Sequence, residues 1–273
     1  MAKQITGKWN IGVFDSGLGG LFLLRALTEK LPAYDYIYVG DTKRVPYSNR
    51  SPETVYEFTR AAVRYLFKNG CQLVVLACNT ASALALRRLQ QEFLPQQYPE
   101  RRILGVLAPL VEAIEERHPR RIGVLATQAT VNSHAITREL KKRVPGVTVF
   151  EHAAPLLVPM VESGELQWAD AMLTAYIQPL LLQRVEGLAL GCTHYPILKR
   201  RIRRIVGKDI SVISQDEFLG KKLADYLMRH PEIEVLLGKR KKREFFVTDK
   251  TSTLEKRAQE WFGKNIKLKL IHL

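Results

Sequence analysis

The chain reads as an α/β protein built from two related halves, and three observations predict this. Short β-rich runs alternate with longer amphipathic ones from end to end, the pattern of strand–helix units around largely parallel sheets. A strand of the form Ile-Gly-Val, followed later by an apolar run that closes on cysteine, occurs twice. Ile11-Gly12-Val13 precedes Leu73-Val74-Val75-Leu76-Ala77-Cys78, and Ile122-Gly123-Val124 precedes Gly187-Leu188-Ala189-Leu190-Gly191-Cys192. Gly12 and Cys78 lie 66 residues apart, Gly123 and Cys192 69. Finally, 273 residues are enough for two domains, each with its own core.

The first strand, 11–14, runs into Phe14-Asp15-Ser16-Gly17-Leu18-Gly19-Gly20, whose glycines permit a tight turn before a helix at 21–30. A strand at 36–39 follows. The helix at 51–69 opens with Ser51-Pro52-Glu53, a cap, a first-turn proline and an early acid. The strand at 73–77 delivers Cys78 and is followed by helix 81–92, strand 103–107 and helix 110–117. In the second half, strand 122–125 leads to helix 131–143, which Pro145-Gly146 should stop. Strand 147–151, helix 168–183 and strand 188–190 then bring the chain to Cys192, ahead of strand 211–213, helix 217–229 and strand 245–248. The first domain is expected to end near 103 and the second to close near 207. Residues 211–273 are too few for a third core and must pack on one of the two. In open α/β sheets ligands bind beyond the carboxyl ends of the strands, where both cysteines fall, so the active site is expected in the cleft between the halves.

Apolar content of 46% and charged content of 25% are those of a soluble globular protein. Three cysteines without a CxxC pair argue against a disulfide framework and for a reducing compartment. The stretch 1–10 lacks the apolar core of a signal peptide, and no apolar run is long enough to span a bilayer. A cytoplasmic protein without a membrane partner is expected. The net charge of +15 gathers at 117–121, 199–204 and 239–243. It could attract nucleic acid or steer a small anion. With no nucleic-acid motif and no aromatics interleaved, it reads as solvated helix faces and one exposed loop, and a nucleic-acid partner is not expected.

The glycine-rich turn after the first strand lacks both the last glycine of a dinucleotide fingerprint and the lysine of a P-loop. Its amides could hold an anion, or Asp15-Ser16 could simply cap the helix. Cys78 and Cys192 each stand before polar side chains, Asn79-Thr80 and Thr193-His194, where a helix start would raise the thiolate fraction. Two equivalent acid/base groups facing one substrate suit an enzyme that interconverts mirror images. Cys71, with no polar company, reads as core. Cys78, Cys192 and His194 could instead bind zinc, but no CxxC or HxxxH spacing supports a closed site.

At Gly191-Cys192-Thr193-His194-Tyr195-Pro196 the chain resembles the glutamate racemases of the cofactor-independent aspartate/glutamate racemase superfamily. The resemblance runs in order through Gly12-Val13-Phe14-Asp15-Ser16-Gly17, Gly40-Asp41-Thr42 with Pro46-Tyr47, and Ala77-Cys78-Asn79-Thr80-Ala81-Ser82. It continues through Gly105-Val106, Ile122-Gly123-Val124 with Thr127 and Thr130, and Pro159-Met160-Val161-Glu162. The resemblance implies two pseudo-symmetric three-layer α/β domains with the site in the cleft between them, the C-terminal segment returning to the first: 1–103 plus 211–273, and 104–210. It implies an isomerase that racemises glutamate with no cofactor and no metal, supplies D-glutamate for peptidoglycan and works as a homodimer. Cys78 should deprotonate D-glutamate and Cys192 L-glutamate, with Asp15 assisting the first and His194 and Glu162 the second. Asp15, Ser16, Tyr47, Ser48, Asn79, Thr80, Thr130, Thr193 and His194 map to substrate binding.

Three positions depart from the family pattern. Ser48 stands where members usually carry glycine, and serine strains a loop that needs positive φ. Ser214-Gln215 replaces an Asp-Ser or Asn-Ser pair, and Ala126-Thr127 a Gly-Thr pair that keeps its hydroxyl. A sister enzyme acting on aspartate shares the two-thiol logic, though Cys-Thr-His-Tyr-Pro and Pro-Tyr favour glutamate. A nucleic-acid-associated protein with a vestigial site is the rival of another class, and retention of Asp15, Cys78, Cys192 and His194 weighs against it.

Overall fold

The computed structural model describes residues 7–273; the first six residues of the segment read as lacking a leader lie outside the described residues. The chain divides into two units: the described residues up to Val106 together with Leu219–Leu273, and Leu107–Phe218. The first unit begins with β1 (Asn10–Asp15), α1 (Gly20–Lys30), β2 (Tyr36–Gly40), α2 (Pro52–Lys68), β3 (Cys71–Leu76), α3 (Asn79–Leu84), α4 (Leu86–Arg88), α5 (Leu94–Gln97) and β4 (Arg102–Gly105). The second unit holds α6 (Leu107–Glu115), β5 (Arg121–Ala126), α7 (Gln128–Ser133), α8 (Ala135–Arg143), β6 (Thr148–Ala153), α9 (Leu157–Ser163), α10 (Ala169–Leu181), β7 (Gly187–Gly191), α11 (Lys199–Val206) and β8 (Ser211–Ser214). The chain then returns to the first unit with α12 (Leu219–Arg229), α13 (Pro231–Glu234), β9 (Arg243–Val247), α14 (Ser252–Trp261) and β10 (Leu268–Leu270).

All strand pairs are parallel, in the orders β10-β9-β2-β1-β3-β4 and β6-β5-β7-β8. The run β2-β1-β3-β4 of the first sheet therefore has the same plan as the whole of the second. The repeat extends to register: Gly12 pairs with Val74 and Gly123 with Leu188, each partner four residues before its cysteine. The unequal spacings seen in the sequence are absorbed outside the strands.

Burial explains why the strands read as apolar runs rather than alternating ones. β3 is buried at all six positions, as expected where both faces of a parallel sheet are covered. α2 keeps the predicted Ser51 cap, which accepts from the Thr54 amide, and buries Val55, Tyr56, Thr59, Ala62, Val63, Leu66 and Phe67. Each large apolar side chain buried this way contributes about 1.5–3 kcal/mol.

Several boundaries differ from the sequence reading. Residues 81–92 do not form one helix: α3 starts at Asn79, Ala85 interrupts it, and a π-helical turn spans Leu89–Phe93. Residues 131–143 are likewise divided, because His134 takes a left-handed conformation between α7 and α8. The return to the first unit comes at Leu219 rather than near 211, since β8 pairs with β7. β4 pairs with β3, which keeps 102–105 in the first unit. Among the described residues no helix is long and apolar enough to cross a membrane.

Candidate active site

In the first unit the register Asp15↔Gly40 and Phe14↔Leu76 puts Asp15, Asp41 and Cys78 at neighbouring strand ends. Asp15 is fully buried, and its Oδ2 accepts from the Gly17 amide at 3.0 Å, an Asx-type turn that shapes the loop. Gly20 allows α1 to start against this carboxylate, for a Cβ there would lie 2.5 Å from the Asp15 Cβ. Asp15 and Ser16 are not helix caps: the N-cap of α1 is Gly19, with no side-chain bond. Ser16 Oγ instead lies 3.3 Å from Cys78 Sγ.

Cys78 is the N-cap of α3, and its sulfur accepts from the Ala81 amide at 3.5 Å. The first-turn amide of α3 is thus aimed at sulfur. Asn79 and Thr80, directly behind, are buried. Tyr47 and Ser48 form a 3₁₀ turn, Tyr47–Asn49. Ser48 is not among the described non-glycine residues with positive φ, which are His118, His134, Arg184 and Lys241. Serine therefore replaces glycine in this turn without backbone strain. Burial pushes the Tyr47 phenol far above its usual range, reinforced by Asp41, so Tyr47 is a neutral donor. Cys71 is buried in β3, and burial likewise drives its thiol up.

In the second unit the register Ala126↔Gly191 sets Thr127 and Cys192 at adjacent strand ends. Thr127 caps α7 by accepting from the Thr130 amide, and the two hydroxyls are 3.0 Å apart. Cys192 does not open an α-helix. It enters a turn in which the Tyr195 amide donates to its carbonyl at 3.2 Å, and α11 begins only at Lys199. Tyr195, fully buried, pins this turn by donating to the Ala154 carbonyl at 3.1 Å.

A charged partner stands at Cys192 in place of a helix start. His194 Nδ1 lies 3.8 Å from Cys192 Sγ and 3.4 Å from Thr193 Oγ1, while Nε2 is 3.0 Å from Glu162 Oε1 on α9. Burial works to lower the pKa of His194. Its hydrogen bonds to Cys192 and Glu162, with the charges of both, outweigh that and raise it well above the ordinary imidazole value. The imidazolium so favoured can pass a proton to sulfur or take one back.

Each unit thus brings its predicted residues together: Asp15, Ser16, Cys78, Asn79 and Thr80 in one, Glu162, Cys192, Thr193 and His194 in the other. The Ser16–Cys78 contact was not foreseen, although pairing of the strand of Asp15 with that of Cys78 would have suggested it. Among the described residues no group of three or more His, Cys, Asp or Glu side chains could hold a metal ion. Two of the basic clusters, 199–204 and 239–243, carry ion pairs. Lys199, Arg201, Arg203 and Arg204 reach Asp170, Asp216 or Glu217, and Lys239 and Arg240 reach Glu234 and Asp35.

The sequence matches the Asp/Glu/Hydantoin racemase family over residues 12–215. The chain belongs to that family. The matched stretch contains every predicted acid and base, from Asp15 to His194. A glutamate racemase of Dinoroseobacter shibae is 38% identical over 274 residues, covering 96% of this chain and 98% of that one. The structure of a Bacillus anthracis glutamate racemase isoform superposes with a TM-score of 0.88 at 30% identity, covering 98% of both chains. That of the Francisella tularensis glutamate racemase, in complex with D-glutamate, gives 0.87 at 28% identity, covering 97% of this chain and 98% of the other.

Proposed function

We propose that this chain is an isomerase that interconverts L- and D-glutamate by a two-base proton transfer at Cα, with Cys78 and Cys192 as the paired acid and base. The observation that carries this reading is the repeated thiol, one at the same register in each sheet. Full-length relatives called glutamate racemases support the substrate. In the D-to-L direction Cys78 thiolate takes the α-proton, the electron pair passes into the substrate carboxylate, and the Cys192 thiol protonates Cα from the opposite face. The product leaves Cys78 as the thiol and Cys192 as the thiolate, the pair poised for the reverse reaction. Asp15 assists Cys78, while His194 and Glu162 assist Cys192. Ser16, Ser48, Asn79, Thr80, Thr130 and Thr193 offer hydroxyl, amide or backbone N–H donors to the substrate carboxylates, where negative charge develops, and Tyr47, whose hydroxyl is given to Asp41, offers its backbone N–H.

No cofactor takes part on this reading. The working form is a cytoplasmic homodimer whose D-glutamate feeds peptidoglycan synthesis. Circular dichroism on L- and D-glutamate without added cofactor, with aspartate as the control, tests the activity. Cys78→Ala and Cys192→Ala should each lose about 10²–10⁴-fold in both directions, while Cys71→Ala stays active. Less than a tenfold loss at either position overturns the assignment.

A further inference from the structure

Asp41 has no role in the chemistry described above, yet it is fully buried at the carboxyl end of the first sheet. A buried carboxylate survives only with partners, and Asp41 has three. Its Oδ2 accepts from Tyr47 Oη at 2.5 Å and from Arg44 Nε at 2.6 Å, and its Oδ1 accepts from Thr248 Oγ1 at 2.8 Å. Thr248 belongs to the returning segment, directly after β9, and its hydroxyl also accepts from the Lys43 amide at 3.0 Å. One residue further, Thr42 Oγ1 donates to the Asp249 carbonyl at 2.7 Å and accepts from the Asp249 amide at 2.8 Å.

The Arg44 guanidinium lies over the Phe58 ring, 4.2 Å from its centroid, and Phe58 packs against Tyr47 at 5.7 Å. Residues 41–48 are therefore tied at one end to the turn that leaves β9 and at the other to an aromatic floor. Asp41 joins the two.

We propose that Asp41 is a positioning residue for glutamate binding: through the Tyr47 hydroxyl and Arg44 it fixes the Tyr47–Ser48 turn, and Thr248 makes the C-terminal segment part of that support. The inference rests on the glutamate reading in one respect only, the assignment of Tyr47 and Ser48 to the substrate. A turn already held in its binding geometry pays no ordering entropy when substrate arrives. Its loosening should therefore weaken binding more than it slows proton transfer.

The test compares wild type with Asp41→Asn and with Tyr47→Phe, which keeps the ring and removes only the hydroxyl. A hydrogen bond to a charged group is worth roughly tenfold or more in affinity. KM for D-glutamate should rise about tenfold in each variant while kcat changes less than threefold. Partial unfolding would do the opposite, lowering apparent kcat and leaving KM in place. The double variant should cost little more than Asp41→Asn alone, since the Tyr47 bond is common to both single variants. Amide hydrogen exchange gives a readout without substrate: Arg44 and Arg50, whose amides donate to the Asp41 and Tyr47 carbonyls, should exchange several times faster in both variants. An unchanged KM with lowered kcat, or unchanged protection at those amides in Tyr47→Phe, overturns the proposal. Wild-type protein that fails to racemise glutamate overturns the glutamate reading instead, and exchange then decides the role of Asp41 alone.

Discussion

The link from Glu162 to His194 makes a quantitative prediction. Glu162→Gln keeps the shape of the side chain and removes its charge, so the imidazolium loses the anion 3.0 Å from Nε2. A hydrogen bond between charged groups is worth about 1.5–3 kcal/mol. The Glu162 side chain is 27% exposed, and solvent screening favours the low end, about 1.5 kcal/mol. Losing that interaction disfavours the imidazolium, so the His194 midpoint should fall. Carbon-edited NMR of the histidine ring protons reads this directly, with the His194 signal assigned by its loss in His194→Gln. The alkaline limb of the pH profile for L-glutamate should move down with it. In wild type the folded-state pKa lies above the unfolded value of about 6.5. His194 therefore adds stability that is complete below that pH and is lost as the pH rises through the folded-state value; Glu162→Gln should flatten this dependence. A midpoint that stays put or rises would refute the reasoning.

Two further predictions concern geometry. Gly20→Ala places a methyl 2.5 Å from the Asp15 Cβ, a clash with a buried side chain that cannot swing away. It should cost about 1–3 kcal/mol, seen as a lower calorimetric transition together with weaker turnover; an unshifted transition would mean that the start of α1 yields freely. In deuterium oxide, early product should carry solvent deuterium at Cα while unreacted substrate stays protiated, because the donating thiol has already exchanged with solvent. Early product that is mostly protiated would point to a single base.

Much of this was legible in the sequence because the signals were local. An apolar run ending in cysteine marks a strand and its end together, and Ser51-Pro52-Glu53 marked the start of α2. Breaks inside helices were not legible: Ala85 and the π-helical turn after it, or the left-handed His134, leave no mark in an amphipathic pattern. β10 was missed because it has three residues with Lys269 at its centre. The placement of β8 in the second sheet depends on pairing with β7, a long-range choice that periodicity does not carry. In the site, the identities of Cys78, Cys192 and His194 were readable from their motif. The Ser16 contact and the Asp41 network depend on which strand ends become neighbours. The expectation that both thiols sit at helix starts held for Cys78 and failed for Cys192, where Pro196 follows within a 3₁₀ turn.

The order of the first sheet also bears on how the molecule is made. β2 lies between β1 and β9, and β9 belongs to residues synthesised only after the whole of the second unit. During synthesis the contiguous second unit can complete its sheet while β2 still shows an open row of amides and carbonyls. An unpaired strand of that kind is a template for the wrong partner. The nascent first unit must therefore wait, edge bare, until the chain has passed residue 247, and for that interval β2 is open to mispairing.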